Sequence, residues 1–166
     1  RPTLHAALAD AGDALAVGDW VLAECNTFAE WSLVQRVPPA NQIARRLHDG
    51  RDKVTRAVIV ANVDTALLVM GLDHDFNPRR LERYLAFVRL AQVGAVVVLT
   101  KADLCADVAA REREVQAILP PAVACVAVTA TAPSAAQALA PWLGAGLTLV
   151  LLGSSGAGKS TLTNTL

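Results

Sequence analysis

Residues 153–160 read Gly-Ser-Ser-Gly-Ala-Gly-Lys-Ser, a spacing of glycine, lysine and hydroxyl that can hold a chain of phosphates. In the loop Gly153, Ser154, Ser155, Gly156, Ala157 and Gly158, the glycines let successive amide N–H groups converge on phosphate oxygens. Lys159 then puts a point charge near the β and γ phosphates, and the Ser160 hydroxyl suits a Mg²⁺ that bridges them. Thr161 opens a segment, TLTNTL, expected to be helical with its positive end toward the anion. A Gly/Ser-rich linker can match the pattern by chance. Here, however, an apolar strand of Leu147, Leu149, Val150, Leu151 and Leu152 leads into it.

A phosphate loop does not say which base is held. Thr100-Lys101-Ala102-Asp103, closed by Leu104, follows the apolar run Gly94 to Leu99. A carboxylate at Asp103 can accept from both the ring N–H and the exocyclic amine of guanine, a donor pair that adenine lacks, while the Lys101 stem can lie across the base. Four such letters can equally be a turn with an Asp helix cap. A further apolar strand, Ala124 to Val128, runs into Thr129-Ala130-Thr131. This resembles the loop whose backbone N–H reads the guanine oxygen in GTPases, so the expected ligands are GTP or GDP with Mg²⁺.

The order of these elements is unusual. Ordinary GTPases run from phosphate loop to base-reading loops, whereas here the base-reading loops come first, as in circularly permuted GTPases. Permutation is tolerable because a sheet closes the same site whichever loop is cut, provided the new ends lie at the surface. Val60-Ala61-Asn62-Val63-Asp64, then FNPRRLERYL from Phe76 to Leu85, LTKADL, and the run from Pro141 onward resemble the ribosome small subunit-dependent GTPase A family, known as RsgA or YjeQ. The resemblance is continuous over residues 56–166 and looser from Val17 to Arg56.

That resemblance implies an OB-fold before the permuted GTPase domain and a Cys/His zinc domain after it. It divides the chain into residues 1–55, a remnant of the OB-fold with its linker, and residues 56–166, an incomplete GTPase domain. GDWVLAE at Gly18 to Glu24 and the stretch Glu30 to Arg46 are similar only to the last OB strands and their exit. Structural zinc and the switch strands are expected beyond Leu166, so no catalytic residue is named. The implied function is GTP hydrolysis by the whole protein, stimulated by the ribosome, in maturation of the small ribosomal subunit and its rRNA; residues 1–166 alone are expected to bind nucleotide weakly at best. One departure is that family members usually continue past the second base-reading loop with a glycine-bearing turn, where this chain has Thr131-Ala132-Pro133-Ser134.

The elements that must position these loops are legible. Strands alternate with helices, which predicts an α/β, P-loop NTPase parallel sheet with helices on both faces, circularly permuted and lacking its last strands. A strand over Thr65 to Gly71 leads to Asn77-Pro78, a helix cap and first helical residue. Leu81, Tyr84, Leu85 and Val88 then mark one buried helix face, leaving Arg79, Arg80, Arg83 and Arg89 for solvent or a partner. A strand over Gly94 to Thr100 follows. The next helix, Asp107 to Leu119, is expected to bury Val108, Val115, Ile118 and Leu119 before Pro120-Pro121. After the strand Ala124 to Val128, a third helix opens near Ser134, with Pro141 shortening it.

Composition bounds the rest. With 166 residues and 54% hydrophobic content the chain can bury one real core, yet no apolar run approaches the ~20 residues of a membrane span. Arg1 to His5 is no secretory signal, so the cytoplasm and a monomer are expected. Cys25, Cys105 and Cys125 lack metal-ligand spacing and read as reduced, buried or half-buried thiols; His5, His48 and His74 form no cluster. Net charge is zero, which excludes a globally basic RNA binder. Between Arg36 and Arg56, however, Arg36, Arg45, Arg46, Arg51, Lys53 and Arg56 face only Asp49 and Asp52, either a strip for rRNA phosphates or a solvated linker. Trp20, Phe28 and Trp31 could stack on bases, but core placement is the expectation. Two other functions stay open: an ATP-using P-loop ATPase or kinase with an accidental TKAD, and an RNA-binding module with a vestigial nucleotide site.

Overall fold

The computed structural model describes residues 13–48 and 54–166, together with Leu4 and Leu8; for 46–48 and 54–56 it describes the backbone alone. The chain divides into two compact units, residues 1–63 and 64–166.

The first unit is built from two antiparallel pairs: β1 (Val21–Cys25) with β2 (Trp31–Arg36), and β3 (Gln42–His48) with β4 (Val54–Ala61). Asn26 makes the β1–β2 turn, its Oδ1 accepting from the N–H groups of Phe28 and Glu30. The unit's exit is pinned by Asn41, which donates to the Val63 carbonyl at 2.8 Å and accepts from the Val63 N–H at 2.9 Å. Three expectations fail here. Trp20, Phe28 and Trp31 are 69%, 83% and 72% exposed instead of forming a core, because a two-stranded hairpin has too little surface to cover them. Cys25 is exposed, not buried. Arg36 is committed to Asp13 and Asp19 and so is withdrawn from the basic strip, while Arg45 is exposed. Arg51, Lys53, Asp49, Asp52 and the side chains of Arg46 and Arg56 lie outside the described residues, as do His5 and the His48 side chain.

The second unit is one parallel sheet in the order β7-β6-β5-β8, made of β5 (Thr65–Gly71), β6 (Gly94–Thr100), β7 (Ala124–Ala127) and β8 (Leu149–Leu152). Thr65 pairs with Gly94 on one side and with Leu149 on the other, which makes β5 an interior strand. Its residues read as a continuous apolar run because both faces are covered. On one face Leu67, Val69, Val96 and Val98 pack in a cluster with Ala135, Leu139, Ala157 and Leu162. The alternate residues Ala66, Leu68, Val97 and Leu99 are equally buried. Each fully buried Leu or Val is worth about 1.5–3 kcal/mol.

Helix α1 (Pro78–Leu90) packs on β5 and β6 through Leu81, Leu85 and Val88, with Asn77 as cap. Helix α2 (Val108–Gln116) is capped by Asp107 and stops three residues before Leu119; a turn replaces its last residues, and Ile118 is 37% exposed where burial was expected. Helix α3 (Ser134–Leu139) tightens into a 3₁₀ turn at Ala140–Trp142, around Pro141. Helix α4 (Lys159–Thr165) begins two residues earlier than the sequence suggested. Arg80, expected to be free, is bonded to Asp75 at 2.6 Å.

The sheet grows from β5 through β6 to β7 in one direction, and then β8 is added on the other side of β5. Open α/β sheets bind ligands beyond the carboxyl ends of their strands at such a reversal.

Candidate nucleotide-binding site

Three loops leave the carboxyl ends of β6, β7 and β8, and hydrogen bonds to backbone carbonyls tie them together. Thr100, the last residue of β6, is fully buried, and its Oγ1 donates to the Ala157 carbonyl of the phosphate loop at 2.6 Å. Its side chain therefore braces the loop. The Ala102 N–H donates to the Val128 carbonyl at 3.3 Å, joining the TKAD loop to the end of β7. Thr165, near the end of α4, donates to the Ala130 carbonyl at 2.7 Å, joining the Thr129–Thr131 loop to the helix that follows the phosphate loop.

Around these ties lies a pocket of about 180 Å³ lined by Lys101, Asp103, Thr129, Ala130, Thr131, Gly158 and Thr161. Residues from all three loops thus face one space, although Asp103 and Gly158 stand far apart in the chain. Asp103 is exposed and Ala130 buried, while Lys101 sits in the left-handed region at φ 59°. Leu104 is exposed and lines a neighbouring groove with Cys105 and Asp107.

The phosphate loop is shaped by glycine where backbone crowds it. A Cβ on Gly153 would stand 2.3 Å from the Val69 carbonyl oxygen, so the loop leaves β8 flush against β5. Gly156 and Gly158 have φ of 79° and 89°, which side chains rarely adopt. The Lys159 ammonium donates to the Gly153 and Ser154 carbonyls at 3.0 and 2.6 Å, across the concave side of its own loop. Ser155 and Ser160 are exposed. Mg²⁺ takes few protein ligands and fills its shell with phosphate oxygens and water, so an accessible hydroxyl at Ser160, at the start of α4, fits that ion. Among the described residues, no three His, Cys, Asp or Glu side chains gather as a metal-binding group.

Two residues that the sequence reading did not single out touch this site. In the β5–α1 loop, Asp73 is bonded to the Lys101 ammonium at 2.6 Å, and Asp75 accepts from the Ser154 hydroxyl and from Arg80. The Lys101 bond holds the Asp73 carboxyl below its ordinary range, against the opposing effect of burial and with help from the Asp75 N–H. Burial pushes Asp75 upward, but the Ser154 hydroxyl and Arg80 outweigh it and bring that carboxyl below its usual value too. Two aspartates between a strand and a helix were the only signal available in the sequence.

The amino-acid sequence matches the RsgA GTPase family over residues 38–166. The chain belongs to that family. A relative from Xylella fastidiosa (strain M23), named small ribosomal subunit biogenesis GTPase RsgA, is 48% identical over 90% of this chain and 43% of its own length. A relative of the same name from Xanthomonas campestris pv. campestris (strain B100) is 48% identical over 91% of this chain and 40% of its own. The chain therefore spans about two fifths of the length of the curated relatives it matches. Among solved structures, YjeQ from Thermotoga maritima superposes with a TM-score of 0.70 at 23% identity, over 91% of this chain and half of that one. YloQ, described as a circularly permuted GTPase, gives 0.58 at 26% identity, over 89% of this chain and 48% of that one. This RsgA-family sheet is a circularly permuted P-loop GTPase fold, with the phosphate loop after β8, on the strand next to β5 and later in the chain than the loops after β6 and β7.

Proposed function

We propose that this chain holds the guanine nucleotide of a protein that hydrolyses GTP, in the presence of Mg²⁺, during assembly of the small ribosomal subunit. What supports the reading is the single pocket shared by Lys101, Asp103, Thr129 and Ala130 with Gly158 and Thr161, in inverted chain order. In this reading Asp103 selects guanine through its two N–H donors, Lys101 lies along the base, and the Ala130 backbone accompanies the guanine oxygen. The phosphates rest against Gly153 to Gly158, Lys159 and the N-terminus of α4, with Ser160 as a Mg²⁺ ligand. When bound, Mg²⁺ would draw charge from the β and γ phosphates.

The small-subunit partner comes from the names of the relatives, and a cytoplasmic location is part of the same reading, as the place where such a subunit is assembled. Among the described residues no helix is long and apolar enough to cross a membrane. Residues 1–55 are read as the remnant of an OB-fold with its linker and residues 56–166 as the GTPase domain, while the compact unit that carries the pocket begins at Asp64.

The deciding experiment titrates the full-length protein with GDP and ADP. Binding should favour GDP, and Asp103→Asn should weaken GDP about 10- to 100-fold, since the amide keeps one acceptor and loses one hydrogen bond to a charged group, worth about 1.5–3 kcal/mol. Equal affinity for ADP would return the choice to an ATP-using enzyme. RNA binding by that protein, with no response to nucleotide or to Lys159→Ala, would favour an RNA-binding module instead.

A further inference from the structure

Lys101 is a flexible residue in a demanding place. Its backbone is left-handed at φ 59°, and its side chain must run beside the base pocket rather than out into water. Four unbranched carbons carry large rotamer entropy, so a lysine that lies ready against a flat ligand needs its far end held.

The structure supplies the holder. Asp73 Oδ2 takes the Lys101 ammonium at 2.6 Å, while Asp73 Oδ1 accepts from the Asp75 N–H at 3.2 Å. One carboxylate oxygen is thus fixed to its own loop and the other fixes the lysine. The loop is anchored in turn: the Phe76 N–H donates to the Asp73 carbonyl at 3.0 Å, and Asp75 is gripped by Arg80 of α1 and by Ser154 of the phosphate loop. Gly71 leaves room for the arrangement, since a Cβ there would stand 2.6 Å from Asp73 Oδ1 and 3.5 Å from Lys101 Cδ. The Lys101 and Asp73 side chains are 27% and 15% exposed, and His74, also near Asp73 Oδ2 at 3.4 Å, is open to solvent.

We propose that Asp73 is a positioning residue for base recognition, holding the Lys101 ammonium so that the lysine stem stays aligned along the guanine pocket. The proposal rests on the guanine-nucleotide reading above. Asp73 does not itself line the pocket, and its part in recognition runs through Lys101. Without the tether the stem is free to rotate, and each binding event has to order it anew.

The test is a double-mutant cycle on the full-length protein, read as the dissociation constant of GDP, with ADP as the base control. Asp73→Asn and Asp73→Ser should each weaken GDP about 3- to 10-fold, the range for a charge-assisted bond between partly exposed groups. In a Lys101→Met background the same substitutions should change GDP affinity by less than about twofold, because nothing remains to be held. A wild-type protein without preference for GDP over ADP would remove the guanine reading itself, and the proposal with it. If the wild type prefers GDP while both Asp73 variants bind it as well or better, the proposal alone is overturned. An undiminished effect of Asp73→Asn in the Lys101→Met background would make Asp73 a structural residue and overturn it equally.

Discussion

Replacing Thr100 by valine isolates the bond that joins the end of β6 to the phosphate loop. Thr100 and Ala157 are both fully buried, and the 2.6 Å bond between them spans 57 residues of sequence. Valine has nearly the same shape, so no cavity opens; the loss is the donor to a buried carbonyl, which costs about 1–3 kcal/mol. A methyl in place of the hydroxyl offsets up to about 0.8 kcal/mol of that, leaving a net loss of about 1–2 kcal/mol. With a urea dependence of about 2 kcal/mol per molar, the middle of the usual range, the midpoint of unfolding should fall by roughly 0.5–1 M. Because Ala157 precedes Gly158 in the pocket wall, GDP affinity should fall too, on the order of 5- to 20-fold. Thr100→Ser is the control: it loses a buried methyl and about 1 kcal/mol, but keeps the donor and should bind GDP within about twofold of wild type. Equilibrium unfolding in urea and GDP titration are the two measurements. A valine variant with the wild-type midpoint and wild-type affinity would refute the claim that this bond shapes the loop.

Gly153→Ala should prevent soluble folding or lower the melting temperature by many degrees, since its Cβ would meet the Val69 carbonyl oxygen at 2.3 Å and both partners are backbone. The carboxyls of Asp73 and Asp75 lie below the ordinary value of 3.8 in the folded protein, so their stabilisation is complete above that pH and disappears as pH falls through the lower folded values. Urea midpoints should therefore hold from neutrality to about pH 4.5 and decline below it, with a shallower decline in Asp73→Asn. Burial and Glu112 push the Cys125 thiol up to about 11, whereas Cys25 is exposed. Iodoacetamide at pH 8 should alkylate Cys25 well before Cys125, as mass spectrometry of peptides would show, and the Cys125 contribution to stability should fade between pH 9 and about 11.

The site was legible where chemistry and periodicity coincide. GSSGAGKS and TKAD each follow an unbroken apolar strand, and in a parallel sheet such strands end on the same edge, so placing both loops over one pocket needed only topology. Asn77-Pro78 and the spacing of Leu81, Leu85 and Val88 gave α1 for the same reason, a local rule matching the global fold. The exposed tryptophans were not legible, because hydrophobicity states what a side chain prefers and not how much neighbouring chain is there to cover it. Nor was the true end of α2, where a proline pair marks the latest possible stop and a turn takes up the residues before it.

Least legible were the contacts that hold the loops in place. Thr165 reaches Ala130 across 35 residues, and Asp73 reaches Lys101 across 28. Threonine in a short helix and aspartate in a loop are ordinary by type and announce no partner. Their placement nevertheless explains how the inverted loop order is tolerated. If the site depended on the order in which its loops leave the ribosome or on the turns that join consecutive elements, placing the phosphate loop after the TKAD and Thr129–Thr131 loops would dissolve it. Here the phosphate loop is tied to β6 by Thr100, to the loop after β5 by Ser154 and Asp75, and to the loop after β7 through α4. None of those ties runs along a connecting segment. Chain order is therefore free to change so long as β5 stays between β6 and β8, and a peptide break placed in an exposed connection between these strands should leave the pocket intact.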